Sequence, residues 1–207
     1  MPLSRRSLVT AAATGLAIPA LDLTPLGRAA LADDDLTHAD RAIGLLDAKV
    51  TVDEHFSLTC SHCAAFSKEV LPKIKSELID TGKMRWVFRD YPLDQVALTA
   101  AMVARYLPVA RYEPFVSALL ASQDRWVFAR GVNPVEELWK FAALAGMNRA
   151  LFDKAITDDA LRTWILEQQK EATTRLKIDA TPNFVVGGRK YTGPATFEGF
   201  SQLARSG

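Results

Sequence analysis

The 207-residue chain carries 25 basic and 24 acidic side chains, a formal net charge of +1, which excludes the strong field that nucleic-acid-binding proteins present. Hydrophobic residues make up 49% of the chain, which is enough for the core of one domain of ordinary size. Both of its cysteines, Cys60 and Cys63, stand in one tetrapeptide. What they do depends on where the tetrapeptide lies among the predicted elements.

Residues 1–32 have the features of an export signal. Arg5 and Arg6 form a basic start, residues 8–21 are apolar, and Ala30-Leu31-Ala32 is a cleavage pattern. The apolar stretch is too short to span a bilayer comfortably. The segment "SRRSLVT" is similar to a twin-arginine signal, and an ordinary Sec signal is the alternative. Either route places the protein in the periplasm of a bacterium, an oxidising compartment.

Residues 33–207 are expected to form one α/β domain. A strand is predicted at 48–56, where β-branched residues alternate with polar ones, and it runs directly into the cysteine segment. A helix follows, with apolar residues at helical spacing and an end at Gly82. The later predictions are a strand at 83–93, a helical block at about 95–177, a hairpin turning at Gly187-Gly188 and a short helix at 196–206. The helical block is therefore inserted between two halves of a small sheet.

Three interpretations of the "CSHC" tetrapeptide are open: a structural disulfide, half of a metal site, or a redox-active dithiol. A disulfide that closes so short a loop restricts the unfolded chain by only about 2 kcal/mol, so it is a poor structural staple. Zinc requires four ligands, and the two cysteines with His55 and His62 would have to converge from one short segment.

A redox dithiol makes use of the position of the tetrapeptide. The start of a helix offers unpaired N–H donors and the positive end of the helix dipole, which both stabilise a thiolate. We therefore predict Cys60 as the exposed, acidic nucleophile and Cys63 as the more buried resolving thiol. His62 lies in the same first turn and is expected to stabilise the Cys60 thiolate electrostatically, the alternative being a solvated helix residue.

With these elements the chain resembles the DsbA family of thiol-disulfide oxidoreductases. The resemblance rests on "AKVTVDEHFSLTCSHCAAF", "WVFRDYPLD" and "IDATPNFVVGGRKYTG", and it covers nearly all of residues 33–207. It implies an α/β fold, a thioredoxin-like sheet with an inserted helical domain. It also implies a cis peptide bond before Pro182, opposite the cysteines, where Thr181 and Pro182 would bind an extended substrate segment.

Two further residues enter through the resemblance. Glu54 matches a buried acidic residue of the family that transfers protons to the resolving thiol, and a buried carboxylate has a raised pKa. An edge-strand carboxylate in water is the alternative. Ser61 departs from the family pattern, in which proline is common at this position. Serine restores a backbone N–H that could donate to the Cys60 sulfur, so we count Ser61 among the catalytic residues.

The sequence thus predicts a periplasmic thiol-disulfide oxidoreductase, most simply an oxidase that donates its Cys60–Cys63 disulfide to newly exported, cysteine-containing proteins. No cofactor or metal is expected beyond that disulfide. We expect a monomer, re-oxidised by a membrane quinone-linked partner as relatives are. The alternatives are a disulfide isomerase or reductase of the same fold and, from another class, a peptide-binding module with a structural disulfide.

Overall fold

The computed structural model describes residues 36–206, and within them five strands form one mixed sheet in the order β1-β3-β2-β4-β5. The strands are β1 (Arg41–Ile43), β2 (Val50–Phe56), β3 (Met84–Asp90), β4 (Asn183–Val186) and β5 (Arg189–Lys190). The export signal predicted for residues 1–32 lies outside the described part of the chain. In that described part, no helix is both long enough and apolar enough to cross a bilayer.

The centre of the sheet is the parallel pair β2 and β3. Parallel neighbours need a crossover connection, which here is helical. The crossover comprises α1 (Ser61–Glu69), α2 (Leu71–Ile74) and a π-helical turn (Lys75–Ile79). The chain is helical on both sides of Val70, and Pro72 lies in the first turn of α2, where a missing N–H breaks no helical bond. The crossover places the start of α1 at the carboxyl end of β2.

The predicted helical insertion lies between β3 and β4. Its helices are α3 (Gln95–Arg105), α4 (Val109–Ala121), α5 (Gln123–Trp126), α6 (Pro134–Leu144), α7 (Arg149–Ile156) and α8 (Asp159–Arg175). Side-chain oxygens cap four of these helices, from Asp94, Asn133, Asn148 and Asp158. These caps explain why one long helical stretch in the sequence is divided into separate helices.

The chain returns to the sheet as a hairpin, as predicted. Gly187 and Gly188 both have positive φ, 56° and 75°, which is the conformation that a two-residue hairpin turn requires. Strand β4 pairs antiparallel with β2, and helix α9 (Phe197–Ser206) follows. Strand β1, which the sequence analysis missed, is only three residues long and pairs antiparallel with β3.

The two faces of the sheet differ in character because side chains alternate along each strand. Val52, Glu54 and Phe56 point to one face, against a cluster of aromatic rings. Those rings are Phe66, Trp86, Phe184 and Phe200, with neighbouring centroids 4.9 to 6.1 Å apart. Asp53 and His55 point to the other face, which α8 covers. The first face carries the cysteine helix.

Candidate active site

Cys60 is the N-cap residue of α1. Its backbone is extended, with φ −83° and ψ 118°, and its Sγ accepts a hydrogen bond from the N–H of Cys63 at 3.4 Å. This is the geometry in which an N-cap side chain satisfies a free donor of the first turn. The carbonyl of Cys60 accepts from the N–H of Ala64, the first bond of the helix. Both cysteines are free thiols, so the structure represents the reduced protein.

A second segment covers Cys60 from the other side. The Thr181–Pro182 peptide bond is cis, and the Sγ of Cys60 donates to the Thr181 carbonyl at 3.3 Å. The register of β4 brings the two segments together, since His55 of β2 pairs with Asn183, the residue after Pro182. The prediction of an exposed Cys60 is wrong in degree: Cys60 is 7% exposed and Cys63 is 0% exposed, because the Thr181 segment covers the sulfur.

The pKa values of the two thiols are shifted in opposite directions. The thiol of Cys63, which donates to the Cys60 sulfur, lowers the pKa of Cys60 to about 5 against the opposing effect of burial. The Thr181 side chain and the N–H groups of Cys63 and His62 lower this pKa further. The Cys60 sulfur and burial raise the pKa of Cys63 far above its usual value. At neutral pH the pair therefore holds one thiolate, at Cys60.

The remaining residues of the tetrapeptide act on Cys60 through the backbone. The side chains of Ser61 and His62 are exposed. The N–H that we expected from Ser61 is not among the groups that lower the Cys60 pKa, since an N-cap side chain reaches the second and third residues of the helix and not the first. His62 contributes its N–H, and the electrostatic role of its imidazole stays a prediction.

Glu54 lies on the same face of the sheet as the cysteine helix, as expected. The residue is 2% exposed, and its Oε2 accepts from Nε1 of Trp86 at 2.7 Å. Burial raises the pKa of Glu54 to about 7, and the Trp86 bond opposes this effect. Its charge in turn contributes to the raised pKa of Cys63. The structure thus brings Glu54, Cys63 and Cys60 into one electrostatic unit.

Two residues of the helical insertion contact the loop that leads into α1, and the sequence analysis missed both. Gln123, at the start of α5, donates from Nε2 to the carbonyls of Leu58 and Cys60 at 2.8 and 3.0 Å. Asp94, the N-cap of α3, accepts from the hydroxyl of Thr59 at 2.7 Å. A cap pattern marks Asp94 in the sequence, but a glutamine in a four-residue helix gives no such sign.

A cavity of about 250 Å³ lies on the face of the sheet opposite Glu54, beneath α8. Its charged walls include two ion pairs, Asp53 with Arg89 at 2.7 Å and Asp90 with Arg105 at 2.5 Å. His55 also lines it, and burial lowers the pKa of this histidine to about 4. Across residues 36–206, no three histidine, cysteine or acidic side chains are grouped as metal ligands.

The fold and the cysteine site define the class of the protein. A family model described as thioredoxin matches residues 36–204. The crystal structure of alpha-DsbA1 from Wolbachia pipientis is similar, with a TM-score of 0.74 at 31% sequence identity over 82% of this chain and 90% of that one. The chain therefore belongs to the DsbA family of thioredoxin-like proteins.

Two relatives known from sequence are less than 30% identical to this chain. DsbA of Bordetella parapertussis, named a thiol:disulfide interchange protein, is 26% identical over 70% of this chain and 67% of its own length. A Rickettsia bellii protein, provisionally named a protein-disulfide oxidoreductase, is 29% identical over 72% of this chain and 57% of its own length. This chain thus spans little more than half the length of the Rickettsia protein.

Proposed function

We propose that the protein is a thiol-disulfide oxidoreductase, and that it acts as an oxidase on cysteine-containing proteins in the periplasm. The observation that carries this proposal is the asymmetry of the pair: the Cys60 pKa falls to about 5 while that of Cys63 rises. A thiolate at Cys60 stabilises the reduced form of the pair. Stabilising the reduced form makes the corresponding disulfide the stronger oxidant.

The reaction follows from the positions of the two sulfurs. A substrate thiolate attacks the Sγ of Cys60 in the oxidised protein, a mixed disulfide forms, and Cys63 leaves as a thiolate that takes up a proton. A second substrate thiolate then attacks the substrate sulfur of the mixed disulfide and releases Cys60 as a thiolate. Two electrons pass to the protein, and the substrate gains one disulfide.

The backbone of Thr181 is suited to hold the substrate. When Cys60 is a protonated thiol, its S–H donates a hydrogen bond to the Thr181 carbonyl. In the thiolate or the disulfide that proton is gone, so the carbonyl becomes available to an N–H of an extended substrate segment. Thr181 and Pro182 are therefore the proposed substrate-binding residues, next to the sulfur that reacts.

Glu54 is the proposed proton donor to Cys63 when that sulfur leaves. Its pKa of about 7 means that it holds and releases a proton near neutral pH. The charge of Glu54 contributes to the raised pKa of Cys63, which supports an electrostatic interaction between the two groups. His62 is proposed to add electrostatic stabilisation to the Cys60 thiolate from the exposed side.

The remaining parts of the proposal concern the setting. The features of residues 1–32 support export to the periplasm, with residues 33–207 as the mature protein. Sequencing the N-terminus of the exported protein tests this, and a start far from Asp33 would contradict it. A membrane quinone-linked protein is the proposed re-oxidising partner, and a monomer is the proposed active form.

Alkylation tests the proposal directly. After reduction, Cys60 should react with an alkylating reagent far faster than Cys63 at about pH 6, because only Cys60 is then a thiolate. Peptide mass mapping identifies the modified cysteine. The Cys60→Ser variant is the control and should lose the fast phase. A fast reaction at Cys63 would show that the assignment of the nucleophile is wrong. Equally slow rates at both cysteines would instead support the peptide-binding module with a structural disulfide.

A further inference from the structure

We propose that Gln123 is a positioning residue that sets the geometry of the nucleophile from within the helical insertion. Its side-chain amide joins the first residue of α5 to the carbonyls of Leu58 and Cys60, two residues of the loop between β2 and α1. The proposal deepens the proposed function, since it assumes that Cys60 is the reacting thiol.

The two bonds hold the peptide plane between Leu58 and Thr59 and the one between Cys60 and Ser61. The carbonyl of Cys60 shares its peptide plane with the N–H of Ser61, so holding this oxygen fixes the ψ angle of Cys60, which is 118°. That angle sets the direction of α1 relative to the Cys60 sulfur. The N–H of Ala64 also donates to the Cys60 carbonyl at 3.1 Å, but Ala64 belongs to α1 itself. The bond from Gln123 ties the plane to the helical insertion, and it thereby holds the N–H donors of His62 and Cys63 towards the sulfur.

The rest of the loop is held by other bonds, one of them from the hydroxyl of Thr59 to Asp94. The N–H of Cys60 donates to the carbonyl of Ser57 at 3.2 Å, and the N–H of Leu93 donates to the Ser57 hydroxyl at 3.3 Å. None of these bonds involves the carbonyl of Cys60 or that of Leu58. Gln123 thus acts on the part of the loop that leads directly into the cysteine helix.

Gln123 is itself held in place. It is 6% exposed, and its own carbonyl accepts from the N–H of Val127 and of Phe128 at 3.1 and 2.9 Å. Trp126 of the same short helix is 0% exposed, and its Nε1 donates to the carbonyl of Leu119 in α4 at 2.9 Å. The helix is therefore anchored in the core of the insertion, and the amide of Gln123 is aimed at the loop by packed residues.

The test compares variants of the reduced full chain by titrating the ultraviolet absorbance of the thiolate. Gln123→Met keeps the side-chain volume and removes both donors. We expect the Cys60 pKa to rise by about one unit, which is about a tenfold loss of thiolate at a pH below both values. Gln123→Ala should also raise the Cys60 pKa. This variant replaces Gln123→Met in the test if the methionine side chain disturbs folding.

Gln169→Met is the matched control. Gln169 also donates from its side-chain amide to a backbone carbonyl, that of Pro92 at 3.0 Å. This peptide plane also carries the N–H of Leu93 that bonds to Ser57, so the control disturbs the loop at its Ser57 end and leaves the carbonyl of Cys60 untouched. We expect this variant to lower the denaturation midpoint and to leave the Cys60 pKa unchanged. An unchanged pKa in both Gln123 variants, or an equal rise in the Gln169 variant, overturns the proposal. An ordinary Cys60 pKa in the unaltered protein overturns the proposed function instead.

Discussion

Two regions of this molecule keep charge away from water, and they do so by different means. Behind the sheet, the carboxylate of Asp90 bonds to Nε of Arg105 at 2.5 Å and to the hydroxyl of Tyr112 at 2.9 Å. Arg41, 1% exposed, donates to the carbonyl of Arg105 and lies with its guanidinium 5.3 Å from the Tyr112 ring. We call these four residues the buried ionic cluster.

The cysteine site stabilises its charge chiefly with neutral groups, to which the proposed electrostatic effect of His62 would add. The groups that lower the Cys60 pKa are hydrogen-bond donors: a thiol, a threonine side chain and two backbone N–H groups. All of these donors are neutral. The backbone N–H groups remain in place whether the sulfur is a thiolate, a thiol or half of a disulfide, whereas the Cys63 thiol donates only in the reduced protein. A permanent buried charge needs an opposite charge, whereas a charge that forms and disappears in each reaction cycle is better served by fixed dipoles.

The largest effect is expected in the buried ionic cluster. Asp90→Asn removes the only carboxylate of these four residues and leaves the guanidinium groups of Arg41 and Arg105 buried without it. We expect a loss of about 3–5 kcal/mol in the free energy of unfolding, because a broken buried pair leaves uncompensated charge. Denaturant titration measures the loss, and thiolate absorbance should show the same Cys60 acidity in the variant.

Asp153→Asn is the matched control for that change. Asp153 pairs with Arg149 at 2.8 Å on an exposed helix surface, where such pairs contribute about 0.3–0.5 kcal/mol. Equal losses in the two aspartate variants would show that the cluster is not a special source of stability. A changed Cys60 pKa in the Asp90 variant would show that the two regions are coupled.

A smaller effect distinguishes the reduced from the oxidised protein. With a folded pKa of about 5 and an ordinary value near 9, the Cys60 thiolate adds stability to the reduced form that grows as the pH rises from 5 towards 9. The contribution disappears as the pH falls through 5. At pH 7 we expect the thiolate to contribute about 2–3 kcal/mol to the reduced form. This exceeds the ~2 kcal/mol that the short disulfide loop gives to the oxidised form, so the reduced form should be the more stable of the two.

Denaturant titrations of both redox forms at several pH values measure this difference. The Cys60→Ser/Cys63→Ser variant should lack the pH dependence that comes from the thiolate. A clearly more stable oxidised form would contradict the oxidase proposal and favour the isomerase or reductase of the same fold. Equilibration with a glutathione buffer gives an independent measure of the same difference.

The smallest effect is expected at Glu54. This group is buried without an opposite charge, and its own charge forms and disappears near neutral pH. Its pKa of about 7 against 4.5 means that the folded protein keeps a proton that the unfolded chain has lost, so stability falls as the pH rises from 4.5 to 7. Glu54→Gln keeps an acceptor for Trp86 and should remove this decline. The difference between the two pKa values corresponds to about 3 kcal/mol above pH 7. The buried amide of glutamine offsets part of this because its N–H donors lose water, so we expect a net gain of about 1–2 kcal/mol, measured by denaturant titration.

The same variant should slow thiol-disulfide exchange, because the leaving Cys63 loses its proposed proton donor. Glu77→Gln, on the exposed surface of the π-helical turn, is the control and should alter neither quantity. A variant of Glu54 that gains stability and exchanges at the original rate would show that the carboxyl has no part in proton transfer.

Local patterns were enough to predict much of the fold and part of the site. Alternation predicted β2, and the paired glycines predicted the hairpin. The helix start predicted an acidic Cys60, although the largest cause of its low pKa is the thiol of Cys63 and not the backbone of the helix. Both the Cys63 thiol and the backbone N–H groups lie within one helical turn of Cys60, so a low Cys60 pKa can be predicted from the spacing of the tetrapeptide.

The contacts that could not be predicted are those between distant parts of the chain. Strand β1 owes its existence to pairing with β3, since three residues carry no periodic pattern of their own. Gln123 lies 63 residues from the carbonyl of Cys60 in sequence, and nothing around it in the sequence distinguishes it from a surface glutamine. The degree to which Cys60 is covered depends likewise on the Thr181 segment.

The covering of Cys60 by the Thr181 segment has a consequence for the order in which the chain folds. The contact between Cys60 and Thr181 spans 121 residues, and strand β4 can join β2 only after the whole helical insertion has been made. Closing so large a loop is entropically costly and is expected late in folding. A chain in which β2, α1 and β3 have already formed therefore displays both cysteines with Cys60 uncovered. During that interval its own thiols are open to the disulfide exchange that the finished site is built to control.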